Sequence, residues 1–256
     1  LWEKPLVKLG ILPTDGIPIV TKTLTLKAKR GNPYSVRFIN EDGKEGVSNK
    51  VGLHNPGLEY WIKHYYSKTK DKDVIVSISA SSISEYLWMI KKLETLDIKG
   101  IELNVSCPNI EDNLSRSEVI KLCNRLETNH PIILKLRHKY FDTFVFEHIK
   151  DKVDAISINS YQRIEFNYGR ISDNSGAYSG QMIQSDNWEI ADSLRQKFKI
   201  PVIYSSIWTV SDIFKLMERK ADAISFGSVV LRHPFRVRNI MKEYTKLEDK
   251  GEIITN

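Results

Sequence analysis

Cysteine is almost absent from this chain: only Cys107 and Cys123 occur in 256 residues. So few thiols exclude a disulfide framework, and with Cys123 on an expected amphipathic helix they fit a reducing compartment, the cytoplasm. Long apolar runs are missing too. None approaches the roughly 20 residues of a membrane-spanning helix, and no basic, apolar and small-residue succession marks a signal peptide, so no membrane role is expected. The six histidines show no metal-ligand spacing, and no metal is expected. Neither a Gly-x-Gly-x-x-Gly fingerprint nor a P-loop occurs. The charge is not strongly one-sided: 38 basic residues face 32 acidic ones, for a net +6. Runs such as Lys68-Thr69-Lys70-Asp71-Lys72-Asp73 read as a solvated face, and the basic balance suits an anionic cofactor and substrate without requiring nucleic acid.

What is present is a regular alternation of strand and helix. Ile17 to Thr25 reads as a β-branched strand with Lys22 towards its end, and Gly31-Asn32-Pro33 opens a hairpin or loop excursion. From Asp73 onward strands are expected at 74–79, 100–106, 131–136, 153–159, 201–204 and 223–226. Helices are expected at 84–96, 115–128, 141–150, 186–198, 209–219 and 234–246. Strands separated by helical segments of about ten to fifteen residues imply parallel βαβ units, and the length fits one α/β domain of the (β/α)8 TIM-barrel type over residues 1–256. Only seven parallel strands can be counted where a closed barrel needs eight. The chain begins at Leu1 rather than Met, and the first strand is expected upstream of it.

The chemistry centres on Glu102-Leu103-Asn104-Val105-Ser106-Cys107-Pro108-Asn109. It starts as a half-buried strand with Ile101, Leu103 and Val105 on one face and stops at Pro108, which cannot donate to a ladder. Two carboxamides and a thiol therefore arrive at a strand end, where barrels place their chemistry. A lone cysteine is more often a small buried apolar residue than a catalyst, but one flanked by Asn104 and Asn109 suits proton removal from a polar heterocycle. Lys135, inside the apolar strand Ile132-Ile133-Leu134-Lys135-Leu136, either snorkels out or meets an anion. Asn159-Ser160 closes the next strand as a turn or a helix cap. The connection 160–185 is long for a compact domain, and loops of that length are often functional. Trp61, Trp88 and the aromatic run Phe141 to Phe146 are read as packing.

The stretch Asn104 to Asn109 resembles the Asn-x-Ser-Cys-Pro-Asn signature of dihydroorotate dehydrogenases, the FMN enzymes of pyrimidine biosynthesis, in their cysteine-based class 1 branch. The resemblance spans roughly residues 17 to 246 and implies oxidation of dihydroorotate to orotate, with Cys107 as base and a hydride passing to FMN. It implies that Asn49, the backbone of Val51, Gly52 and Leu53, and Asn104, Asn109, Asn159 and Ser160 hold the substrate. Lys22 and Lys135 would face the flavin, as would Gly176, Ser179 and Gly180 in Gly176-Ala177-Tyr178-Ser179-Gly180. The FMN phosphate would be held by Ser205, Ser206, Gly227 and Ser228.

The chain departs from the family pattern in four places. Lys50 replaces a small residue, Ala177 the second glycine of a Gly-Gly-Leu-Ser-Gly loop, and Ser205-Ser206 a Gly-Gly pair, while the loop after Asn109 is short. Ala177 would be strained if its φ were positive, and serine cannot replace glycine freely where φ is positive. The resemblance also implies a homodimer and an electron acceptor, either fumarate or a partner reductase subunit. A related flavoenzyme reducing another pyrimidine, or an orotate-binding descendant without flavin, are the alternatives.

Overall fold

The computed structural model describes residues 16–32, 35–69, 72–105, 114–136, 143–158, 162–165 and 175–250. Seven strands form a parallel sheet: β1 (Ile19–Val20), β4 (Val74–Ile78), β5 (Gly100–Asn104), β6 (Ile132–Leu136), β7 (Ala155–Ile158), β10 (Val202–Tyr204) and β11 (Ala223–Ile224), neighbouring one another in that order. Every pairing is parallel. Parallel neighbours need crossover connections, and helices supply them: α2 (Ile83–Leu93), α3 (Arg116–Cys123), α4 (Thr143–Ile149), α5 (Gln184–Phe198) and α6 (Val210–Glu218), with α7 (Ser228–Arg232) and α8 (Arg236–Asp249) closing the described chain. These seven strands and their helices make a partial TIM barrel. Among the described residues its open edges are β1 and β11, and an eighth strand would have to bridge them.

Three of the helices, α2, α3 and α6, begin at a capping Ser or Thr. Ser115 and Glu118 form a capping box ahead of α3, and Thr209 with Asp212 does the same ahead of α6, each satisfying amides that a helix start leaves without partners. The apolar face of α2 (Tyr86, Met89, Ile90 and Leu93) is buried against the sheet in one continuous core. Cys123, the last residue of α3, is part of that core. Trp61, on α1 (Leu58–His64), is buried as expected. Trp88 differs: its ring lies on the exposed side of α2 with the Lys92 ammonium 4.8 Å from its centroid.

Two expectations need correction. The strand expected over 17–25 is paired as a strand only at Ile19–Val20, followed by one isolated bridge between Leu24 and Ile78. The long connection 160–185 is not a plain loop. It contributes β8 (Gln162–Glu165) and β9 (Ser175–Gly180) to a second, antiparallel sheet whose order is β2-β3-β9-β8, with β2 at Val36–Glu41 and β3 at Lys44–Asn49. The β2–β3 hairpin turns on Asp42-Gly43, with φ of 48° and 72°, the two positive values that a tight two-residue hairpin turn requires. Gly46 and Gly180 face each other across β3 and β9. A Cβ on Gly46 would stand 2.2 Å from the Tyr178 hydroxyl, so glycine there lets the buried Tyr178 ring lie flat against β3.

Candidate active site

Residues two apart on a strand share a face, and β5 divides its side chains sharply. Leu103 and Ile101 face the helices, while Glu102 and Asn104 point to the other side, yet all five residues of β5 are buried. The strand is thus buried on both faces rather than half-buried, and one of those faces is polar. Register extends the polar face sideways: Ser77 of β4 lies opposite Glu102, Lys135 of β6 opposite Asn104, and Ser157 of β7 opposite Lys135.

These side chains are bonded to one another. The Ser77 hydroxyl donates to Glu102 Oε1 at 2.6 Å, and the Lys135 ammonium reaches the same oxygen at 3.4 Å. Thr23 Oγ1 lies 2.9 Å from Ser77 Oγ and accepts from the Asn104 carboxamide at 3.1 Å, while the Tyr86 hydroxyl donates to the Asn104 carbonyl at 3.0 Å. Glu102 is only 4% exposed. A carboxylate so deep is tolerable because a cation and a hydroxyl both answer it. The Lys135 head therefore meets an anion inside the protein instead of snorkelling out. Lys22, just past β1, is half-buried beside Thr23.

The loop after β3 approaches from the small sheet. Asn49 is the last residue of β3 and pairs with Ala177 of β9, so the expected substrate loop and the expected flavin segment are neighbouring strands. Ala177 adopts ordinary extended backbone, since it is not among the residues with positive φ, and the strain conditionally expected there is absent. Gly176 pairs with Ile164 of β8, and the Ser179 hydroxyl donates to the Val47 carbonyl at 3.4 Å. Beyond Asn49 the chain is fixed by Asn55, 3% exposed. Its Oδ1 accepts from the amides of Thr25 at 3.1 Å and Gly57 at 2.8 Å, and its amide donates to Thr25 Oγ1 at 2.8 Å and the Leu53 carbonyl at 2.6 Å. That carboxamide thus ties the end of Val51-Gly52-Leu53, through the Leu53 carbonyl, and the Gly57 turn to Thr25.

The remaining residues gather at the other edge of the sheet. Ser205-Ser206 follows β10 and Gly227-Ser228 follows β11. These two strands pair, and the Ser225 amide donates to the Tyr204 carbonyl at 2.7 Å, so both turns leave the sheet side by side. In barrels the loops after the last two strands commonly hold phosphate. Ser206 has φ 67°, the left-handed shape that glycine takes easily and serine takes at a cost of order 1 kcal/mol. The turn therefore keeps a glycine-like form despite its side chain. A Cβ placed on Gly227 would find nothing within 4 Å, so its backbone is open to close approach. Both features fit a phosphate-bearing cofactor, and the lysines fit its negative charge.

Two groups carry displaced acidities near the site. Burial pushes the Tyr178 hydroxyl upward, and burial, together with the carboxylate of Asp192 to which it donates at 2.7 Å, raises that of Tyr204. Both stay protonated donors at neutral pH.

Cys107, Asn109, Asn159 and Ser160 lie outside the described residues. Of the other expected residues, the fold joins Asn104 and Lys135 in one bonded cluster, Asn49 and the 176–180 segment in one small sheet, and the two phosphate turns at one edge. Sequence reasoning missed Glu102, Ser77, Thr23 and Asn55. Only Glu102 carried a usable signal, as an acid in a strand with apolar neighbours on both sides.

A family model described as dihydroorotate dehydrogenase matches residues 12–247. Among curated relatives, "Dihydroorotate dehydrogenase B (NAD(+)), catalytic subunit" of Geotalea daltonii is 28% identical over 241 residues, covering 87% of this chain and 78% of its own. The protein of the same name from Geotalea uraniireducens is 29% identical, covering 91% and 82%. That of Thermoanaerobacter pseudethanolicus is 29% identical, covering 92% and 85%. With the match running nearly end to end over a partial barrel whose strand ends carry these polar groups, the chain belongs to the dihydroorotate dehydrogenase family.

Proposed function

We propose that this chain oxidises dihydroorotate to orotate with FMN as its cofactor. The observation that carries the reading is the bonded row Thr23, Ser77, Glu102, Asn104 and Lys135, set at and near the strand ends in a sheet whose opposite face is apolar. The oxidation removes a proton from C5 and a hydride from C6 of the ring, leaving a C5–C6 double bond. Cys107 takes the C5 proton. Asn49, Asn104, Asn109, Asn159 and Ser160, with the backbone of Val51, Gly52 and Leu53, hold the ring and its carboxylate. FMN, when bound, supplies the hydride acceptor. Lys22 and Lys135 would face the bound group and answer its negative charge, a preorganised contribution of the kind that often dominates such rate enhancements. Glu102 fixes the Lys135 ammonium in place. Gly176, Ser179, Gly180, Ser205, Ser206, Gly227 and Ser228 hold the cofactor.

The relatives are named catalytic subunits of an NAD(+) enzyme, which supports a partner reductase subunit rather than fumarate as the electron acceptor. Rapid reoxidation of the reduced protein by fumarate alone would overturn that choice. For the reaction itself, the visible spectrum of the purified protein is recorded before and after anaerobic dihydroorotate. A flavin band that bleaches is expected, and Cys107→Ala should slow the bleaching by roughly 10²- to 10⁴-fold, the usual worth of a general base. A protein that stays colourless with added FMN, or a C107A variant that bleaches at the parental rate, would refute the reading.

A further inference from the structure

We propose that Asn187 is a positioning residue that lets Ser205-Ser206 do the work of a glycine turn at the cofactor phosphate; this rests on the FMN reading above. Asn187 lies on α5 and is 2% exposed. Its carboxamide nitrogen donates to Ser206 Oγ at 3.1 Å and to Ser205 Oγ at 3.4 Å. Two neighbours on the same helix engage the carbonyls of the turn: Trp188 Nε1 donates to the Ser205 carbonyl at 2.9 Å, and Gln184 Nε2 to that of Ser206 at 2.6 Å. Hydroxyls and carbonyls are thus drawn towards α5. What the turn keeps for a ligand is its backbone N–H groups, the donors a phosphate needs.

Two features show that this tether is more than ordinary packing. Ser206 sits at φ 67°, a conformation an L side chain resists and which some contact must therefore hold. Asn187 Oδ1 is buried with no hydrogen-bond partner among the described residues. An unanswered buried carbonyl is unfavourable, and alanine at this position would remove it. The amide persists against that cost because its other end restrains the serines.

The test is flavin affinity of the full-length apoprotein, read by fluorescence quenching with FMN and, separately, with riboflavin, which has the ring system but no phosphate. Asn187→Ala should weaken FMN roughly tenfold, the worth of the one or two hydrogen bonds lost, and leave riboflavin binding and the melting temperature nearly unchanged. Ser206→Gly, which needs no restraint at that φ, should restore FMN affinity in the N187A background. Equal FMN affinity in wild type and N187A, or equal losses for FMN and riboflavin, would overturn the proposal while leaving the FMN reading intact. An N187A protein that unfolds both alone and with S206G would mark a purely structural residue and overturn it as well. A wild-type protein that binds neither flavin would refute the FMN reading, and the inference with it.

Discussion

Glu45 of β3 fastens the small sheet to the end of the barrel, and its removal should be visible in the acid limb of stability. Its carboxylate accepts from Arg232 Nε at 2.9 Å, His233 Nε2 at 2.9 Å and Arg236 at 2.7 Å, while Arg232 also donates to the Ile39 carbonyl at 3.0 Å. Burial pushes this carboxyl upward, but the hydrogen bonds from Arg236, His233 and Arg232 outweigh it and bring the pKa from 4.5 to about 2. A folded-state pKa below the unfolded one contributes stability that is fully present above pH 4.5 and lost as pH falls towards 2. At roughly 1.4 kcal/mol per unit, the shift bounds the contribution at about 3.5 kcal/mol. The Glu45 side chain is 20% and that of Arg236 35% exposed, and solvent screening reduces the figure to about 2 kcal/mol. Urea unfolding of wild type and Glu45→Gln at pH 7, 5, 3.5 and 2.5 measures it. The variant should be less stable by about 2 kcal/mol at pH 7 and 5, with the gap narrowing steadily below pH 4.5. A gap that is absent at pH 7, or the same at every pH, would refute the clamp.

Lys135→Met should destabilise the protein by about 3 kcal/mol, because it leaves the buried Glu102 carboxylate without its cation, whereas Glu102→Gln combined with K135M should recover much of that loss. Urea unfolding of the two single variants and the double variant decides it, and a purely additive double would contradict the pairing. The Cys123 thiol, pushed up to about 12 by burial, should not react with an aromatic disulfide at pH 8. A Cys107→Ala variant should therefore release no chromophore until it is denatured, and prompt labelling of the native variant would show the core around α3 to be open.

The alternation of strand and helix from Val74 to Ile224 was legible because the strands are short apolar runs bounded by turn residues, and α2, α3 and α6 carry an apolar stripe behind a Ser or Thr cap, all of them local properties. The loss of strand character after Val20 was not legible, since whether a β-branched residue joins a ladder depends on the neighbouring edge. Nor were β8 and β9: β9 is held as a strand by pairing with β3, more than a hundred residues earlier, and β8 by pairing with β9. The hairpin or loop excursion expected from Gly31-Asn32-Pro33 turns instead on Asp42-Gly43, eleven residues further on.

For the site, residue types at strand ends drew attention to Asn104 and Lys135, while Asn49 and the two phosphate turns were named only by the resemblance to the family. The chemistry of glycine foresaw that serine would be a poor substitute where φ is positive. Tertiary structure alone decided which anion answers Lys135, because Glu102 and Lys135 meet only through the β5–β6 register. It also decided that the carboxamide of Asn55 ties its loop to Thr25, and that Asn187 bonds Ser206. The sequence by itself determined the fold class and the chemistry available at the strand ends, because turn chemistry, capping and apolar periodicity act within a few residues. Who partners whom was left to the tertiary structure, because hydrogen bonds and ion pairs form between atoms brought together by packing, whatever their separation along the chain.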